Sequence, residues 1–99
     1  MPWMYIVRCT GGAFYTGSTN GDVEFRVAEH NAGLGANFTR RHRPVTLVYC
    51  EEWPTVAQAY EREKQVQGWG RAKKLALIEG RGSELPGLAR GRNGRTTRG

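Results

Sequence analysis

The sequence predicts an α/β fold of the α+β type: a three-stranded, mainly antiparallel sheet flanked by helices, in the order β-β-α-β-α-α. Three observations predict it. Two runs rich in aromatic and β-branched residues face each other across Thr10-Gly11-Gly12. A third such run, Val45 to Cys50, opens after Pro44. The segments between and after them carry helical spacing with recognisable caps and stops.

The first strand is expected over Trp3–Cys9 and the return strand over Ala13–Ser18, with the glycines making the turn. Asp22 can cap a helix running to about Asn31, on which Val23, Val27 and His30 share a side. Gly33-Leu34-Gly35 ends it. A polar, basic loop follows, with Asn37, Thr39, Arg40, Arg41, His42 and Arg43. Thr55-Val56-Ala57-Gln58 is a capping box for a second helix reaching about Gln67. Gly68-Trp69-Gly70 breaks the chain, and Arg71 to Glu79 reads as a third helix stopped by Gly80. Residues 1–80 form one expected domain, of a size that buries about 60–65% of its unfolded surface. Residues 81–99 are rich in Gly, Arg and Thr, and are expected to be a basic, disordered tail.

Composition narrows the function classes. The net charge of +6 favours a polyanionic partner. It is uneven: residues 81–99 carry five arginines against one glutamate, so the folded part is only mildly basic. Apolar runs are strand-length, which argues against a membrane span, and no secretion signal is visible at the N-terminus, so the cytoplasm is the expected location. Cys9 and Cys50 are too few for a disulfide scaffold and lack the spacing of a metal motif; free buried thiols are expected.

Three features do not fit bland elements. On the second helix Val56, Ala59, Tyr60, Glu63 and Val66 share a predicted apolar stripe, which puts a carboxylate among apolar side chains. Such a group needs a partner: a divalent cation such as Mg²⁺ or Mn²⁺, a salt bridge, or a rim position that reaches water. On the first helix Arg26 and His30 lie one turn apart. A guanidinium suits phosphate and an imidazole passes protons near neutral pH, although both residue types are commonly structural. On the hairpin, Tyr5 and Tyr15 can share a face, either as core packing or as phenols that position a water.

With those residues in view, the sequence resembles the GIY-YIG nuclease superfamily, in particular its small stand-alone bacterial members. Trp3-Met4-Tyr5 and Tyr15-Thr16-Gly17 resemble the paired name motifs; Phe25 to Asn31, Gly35 to Arg40, and Glu61-Arg62-Glu63 resemble the motifs that follow. The likeness spans residues 3 to 79. It implies a metal-dependent endonuclease that hydrolyses DNA phosphodiester bonds, with structure selectivity and a place in repair or recombination as further expectations. By position, Tyr5 and Tyr15 would orient the attacking water and one would deprotonate it. Arg26 would hold the scissile phosphate, His30 would assist proton transfer or orient a tyrosine, and Glu63 would bind one Mg²⁺ or Mn²⁺. Arg40, Arg41, His42 and Arg43 would track the nucleic acid, with DNA the first expectation. Trp3, Met4 and Thr16 depart from the name motifs, Phe38 stands where relatives often have tyrosine, and Gln67 where a lysine is common. The competing expectations are a nucleic-acid-binding module with little or no turnover and a bare interaction scaffold. A domain this small also leaves room for a protein partner that supplies specificity.

Overall fold

The backbone of the hairpin follows directly from its glycines. The computed structural model describes residues 1–80 and the backbone of residues 95–96. Strands β1 (Trp3–Cys9) and β2 (Phe14–Thr19) pair antiparallel, with Tyr5 opposite Gly17 and Val7 opposite Tyr15. Gly11 and Gly12 turn the chain at φ of 94° and 95°, a region in which side-chain-bearing residues are strained. Helix α1 (Val23–Asn31) is capped as expected, the Asp22 side chain accepting from the Glu24 amide. Strand β3 (Val45–Glu52) pairs antiparallel with β1 on the side away from β2. Helices α3 (Val56–Gln67) and α4 (Arg71–Ile78) follow, with Thr55 accepting from the Gln58 amide at the start of α3. The predicted order of three strands and three helices is therefore present.

Two short elements add to it. The loop expected to be irregular contains a single-turn helix, α2 (Asn37–Arg41), with Ala36 at its N-cap and no side-chain cap bond. Five residues without a capping side chain leave no periodic signature in the sequence. A two-residue strand, β4 (Arg95–Thr96), pairs with Tyr49 and Cys50, giving the sheet order β2-β1-β3-β4. The rest of the expected basic tail lies outside the described residues.

Alternation along the strands divides the core into two faces. Met4, Ile6 and Tyr49 face α3 and α4 and pack with Val66, Leu77 and Ile78. Tyr5, Val7 and Cys9 face α1 and pack with Val23, Val45, Leu47 and Cys50. A bulge between Ile6 and Val7 shifts the β1–β3 register there, so Leu47 and Tyr49 serve opposite faces despite being two residues apart. Cys9 and Cys50 are buried, and neither is in a disulfide.

The stripe expected on α3 is rotated. Ala59, Arg62 and Val66 are buried, whereas Val56 and Tyr60 are 54% and 51% exposed. The buried charge on this helix is thus Arg62, not Glu63, and its partner is Glu51 on β3. Glu51 Oε1 accepts from Arg62 Nε at 2.6 Å and from Trp53 Nε1 at 2.9 Å, and Oε2 accepts from the Tyr49 hydroxyl at 2.7 Å. Burial pushes the Tyr49 phenol far up, so it remains a donor. Among the described residues no helix is long and apolar enough to cross a membrane.

Candidate active site

Tyr5 and Tyr15 do share the α1 face, two pairs apart in the register. The Tyr5 ring lies across the backbone of Gly17: a β-carbon there would stand 2.6 Å from the Tyr5 hydroxyl oxygen. Glycine is needed at this position for close approach, and the ring can then reach toward the edge strand β2. Tyr5 is only 1% exposed. Its phenol is pushed up to about 12, first by burial, with the charges of Tyr15 and Glu63 adding and the Arg26 guanidinium opposing. Tyr15 is half-buried, and its phenol is raised by burial and then by Glu63.

Helix α1 presents Arg26 and His30 to the same place, as their one-turn spacing predicted. His30 is fully buried, and its Nε2 lies 2.8 Å from the Tyr5 hydroxyl. Its other ring nitrogen, Nδ1, lies 2.8 Å from the hydroxyl of Thr39 on α2. A β-carbon at Gly35 would overlap the His30 ring, so the loop after α1 must pass it as bare backbone. Burial, and then the Arg26 charge, lower the His30 pKa, and the imidazole is favoured neutral. The Tyr15 ring meets His30 edge-on, 5.5 Å between centroids. The Arg26 guanidinium sits beside the Tyr5 hydroxyl and bonds Glu29 Oε1 at 3.1 Å. Burial works against its charge, but those two contacts outweigh it.

Glu63 approaches from the opposite face of the sheet. It lies at the flank of the buried stripe of α3, its side chain 12% exposed. The Ser18 hydroxyl donates to Oε1 and the Gln67 amide to Oε2, each at 2.7 Å. Ser18 belongs to β2, whose outer edge no other strand covers among the described residues. The carboxylate and the two phenols therefore meet around an edge strand, close enough for Glu63 to raise both tyrosines. Sequence spacing had placed this carboxylate mid-stripe, and the correction matters: Glu63 has hydrogen-bond donors and an exit to solvent.

The donor chemistry here fits a hard divalent cation. Glu63 is a carboxylate at the solvent margin with a hydroxyl beside it, and Mg²⁺ is commonly held by one or two carboxylates completed by water and substrate phosphate. Among the described residues no group of three or more His, Cys, Asp or Glu side chains gathers to hold a metal. A cation at Glu63 would therefore take most of its remaining oxygens from water and substrate.

The basic segment after α1 forms its own surface. Arg40, Arg41 and Arg43 line an open cleft of about 470 Å³ together with Asn31 and Pro44. Arg40 donates to Asn37 Oδ1 at 2.7 Å, and Arg43 Nε to the Arg40 carbonyl at 3.0 Å, which fixes their stems. His42 turns elsewhere: its ring lies on Phe38, 4.3 Å between centroids, and Phe38 in turn stacks near Tyr15.

In the sequence, Gly17, Gly35 and Thr39 lie within the motif-like segments without an assigned role, and Glu51 stands outside them. Thr39 sat in an apparently polar loop. The two glycines carry no side chain to attract notice, and a glutamate at a strand end resembles a surface residue. Only pairing in three dimensions reveals them.

Comparisons with known proteins bear on the family and the fold. Residues 1–76 match the model of the GIY-YIG catalytic domain. The UPF0213 protein of Staphylococcus haemolyticus is 44% identical over 79 residues, covering 80% of this chain and 95% of that protein. A UPF0213 protein of Staphylococcus aureus is 46% identical with the same coverage. The solution NMR structure of a UPF0213 protein from Bacillus halodurans superposes with a TM-score of 0.52 at 36% identity, covering 83% of this chain and 87% of that one.

Proposed function

We propose, because this chain belongs to the GIY-YIG catalytic-domain family, that it is an endonuclease hydrolysing DNA phosphodiester bonds with one divalent cation, Mg²⁺ or Mn²⁺. The observation that carries the reading is the buried Tyr5–His30 hydrogen bond with the Arg26 guanidinium beside it. A phenol raised to about 12 is a poor base unless something relieves it of its proton, and a neutral imidazole at 2.8 Å is placed for that.

In the proposed reaction Tyr5 and Tyr15 orient a water against the phosphorus. As the water oxygen attacks, one of its protons passes to the Tyr5 oxygen, and the proton that Tyr5 gives up is taken by His30 Nε2. The bond from phosphorus to the leaving oxygen breaks, and that oxygen then takes a proton from solvent. Arg26 holds the non-bridging oxygens and offsets the charge that builds on them. A cation on Glu63 would supply charge neutralisation at the leaving oxygen. Arg40, Arg41 and Arg43 hold the flanking phosphates along their cleft, while His42 lies on Phe38 away from it. A cytoplasmic role in repair or recombination, with a protein partner supplying structure selectivity, extends the same reading.

A second reading, a binding module without turnover, is favoured by one contact: Gln67 already donates to the Glu63 oxygen a cation would use. The two separate cleanly. Purified protein and its Glu63→Ala variant are incubated with plasmid and branched DNA, with Mg²⁺, Mn²⁺ or chelator. Metal-dependent nicking lost in the variant supports the enzyme. Salt-sensitive binding with no cleavage by either supports the module, and equal cleavage by both rejects Glu63 as the metal residue.

A further inference from the structure

We infer that Thr39 is a positioning residue, whose hydroxyl fixes the buried His30 imidazole as its Nδ1–H tautomer and so aims the Nε2 lone pair at the Tyr5 hydroxyl. The inference deepens the nuclease reading in its catalytic consequence only; the tautomer itself follows from counting protons.

A threonine hydroxyl has one proton. Thr39 Oγ1 lies 2.9 Å from the Ala36 carbonyl oxygen, which can only accept, so the Thr39 proton is committed there. The 2.8 Å contact between Thr39 Oγ1 and His30 Nδ1 must then be carried by a proton on Nδ1. A neutral imidazole has only one N–H, so Nε2 is bare, and the Tyr5 hydroxyl donates to it across 2.8 Å.

The other end of the chain imposes the same order. The Arg26 guanidinium beside the Tyr5 oxygen carries only donors. A phenol proton cannot point at it without opposing the cation, whereas Nε2 accepts it. Reversing the chain would release the Thr39–Ala36 bond and force the Tyr5 proton away from its acceptor. One buried neutral hydrogen bond is worth about 0.5–1.5 kcal/mol, a bias of roughly 2- to 12-fold from that bond alone.

The surroundings hold this arrangement. Thr39 and His30 are both fully buried, and the Gly35 backbone lies against the ring. Tyr5 from β1, Tyr15 from β2, Arg26 and Glu29 from α1, and Thr39 from α2 are the polar groups around the imidazole. The single turn of α2, which has no capping side chain, thus serves to place Thr39 Oγ1 against the ring. When the Tyr5 O–H bond breaks and an Nε2–H bond forms, the resulting imidazolium keeps its Nδ1–H on Thr39. No neighbour need turn, and the returning proton retraces one hydrogen bond.

The test reads the tautomer directly. Long-range ¹H–¹⁵N correlation spectra of the full chain, recorded near neutral pH, are expected to show His30 protonated at Nδ1 and bare at Nε2. Thr39→Val, close in shape but without the hydroxyl, should shift the ring toward the Nε2–H form. It should lower kcat about 10- to 100-fold with KM changed by less than about twofold. Thr39→Ser should restore both the spectrum and the rate. A wild-type His30 protonated at Nε2, or a Thr39→Val variant with an unchanged tautomer, overturns the inference. Should Thr39→Val fail to fold, Thr39→Ala, which also lacks the hydroxyl, is read in its place by the same spectra. The spectra need no turnover, so a chain that cuts no DNA would sink the nuclease reading and leave this test standing.

Discussion

On the α3 face of the sheet, Glu51 and Arg62 form a buried ion pair; on the α1 face, Tyr5, His30 and Thr39 form a chain of hydrogen bonds between neutral groups. The first is closed. Both oxygens of Glu51 are engaged, by Arg62, Trp53 and Tyr49, and Arg62 also bonds Gln65 and lies over Trp69. The second is open. It starts at the Ala36 carbonyl and runs out to Arg26, whose side chain is 31% exposed, with the half-buried Tyr15 against the imidazole. A closed charged network holds one conformation and offers nothing to a substrate. An open neutral one can receive a charge or a proton from outside. The difference separates architecture from chemistry within about one sheet thickness, and it can be attacked from either side.

The largest effect is expected on the closed side. Glu51→Ala leaves the Arg62 cation buried without its counter-charge, and should cost about 3–5 kcal/mol of folding stability. Urea unfolding checks it; a loss below about 1 kcal/mol would mean that the pair is not structural. On the open side the cost should fall on rate. Arg26→Ala is expected to lower kcat/KM by about 10²- to 10³-fold. Its unfolding midpoint should barely move, because the partly exposed Arg26–Glu29 pair contributes little to stability. If rate and stability fall together, the contrast between the two networks is lost.

Titration sharpens the contrast. The folded pKa of His30 lies below its ordinary value of 6.5, first through burial and then through Arg26. As pH falls below that ordinary value, the unfolded chain takes up the proton before the folded one does. This contribution is therefore complete above the unfolded value and is lost as pH drops toward the folded one. Unfolding midpoints near pH 7.5 and 5.5 should differ more for the wild-type chain than for His30→Gln, and an equal difference would remove His30 as the cause. The smallest effect belongs to the cleft. Arg40→Ala and Arg41→Ala should each weaken DNA binding severalfold and reduce the salt slope by about one unit. A slope unchanged in both would take that cleft out of the binding surface.

Elements with local signals were legible in the sequence. Asp22 and Thr55 both cap the helices they were expected to start, and the paired glycines turn the hairpin. The one-turn Arg26–His30 spacing also carried through. What failed were the inferences that needed tertiary packing. Periodicity on α3 fits two overlapping stripes, and only Glu51 on a distant strand decides that Arg62 turns inward while Tyr60 turns out. Thr39 looks like any polar loop residue until His30, nine positions earlier, is seen against it. Glycines at positions 17 and 35 matter for the rings that lie on them, and those rings come from elsewhere in the chain.

The sheet order carries a last consequence. Carboxylate, phenols and guanidinium assemble beside β2 at one margin, while Arg95–Thr96 adds to β3 at the other, with β1 between them. Neighbouring strands stand about 4.8 Å apart, so a strand added along β3 lies roughly three strand spacings from β2. On the proposed nuclease reading, sequence accreted at that far margin can widen the sheet without crowding the site, whereas a strand laid along β2 would close over it. The molecule has one border free to grow and one that must stay bare.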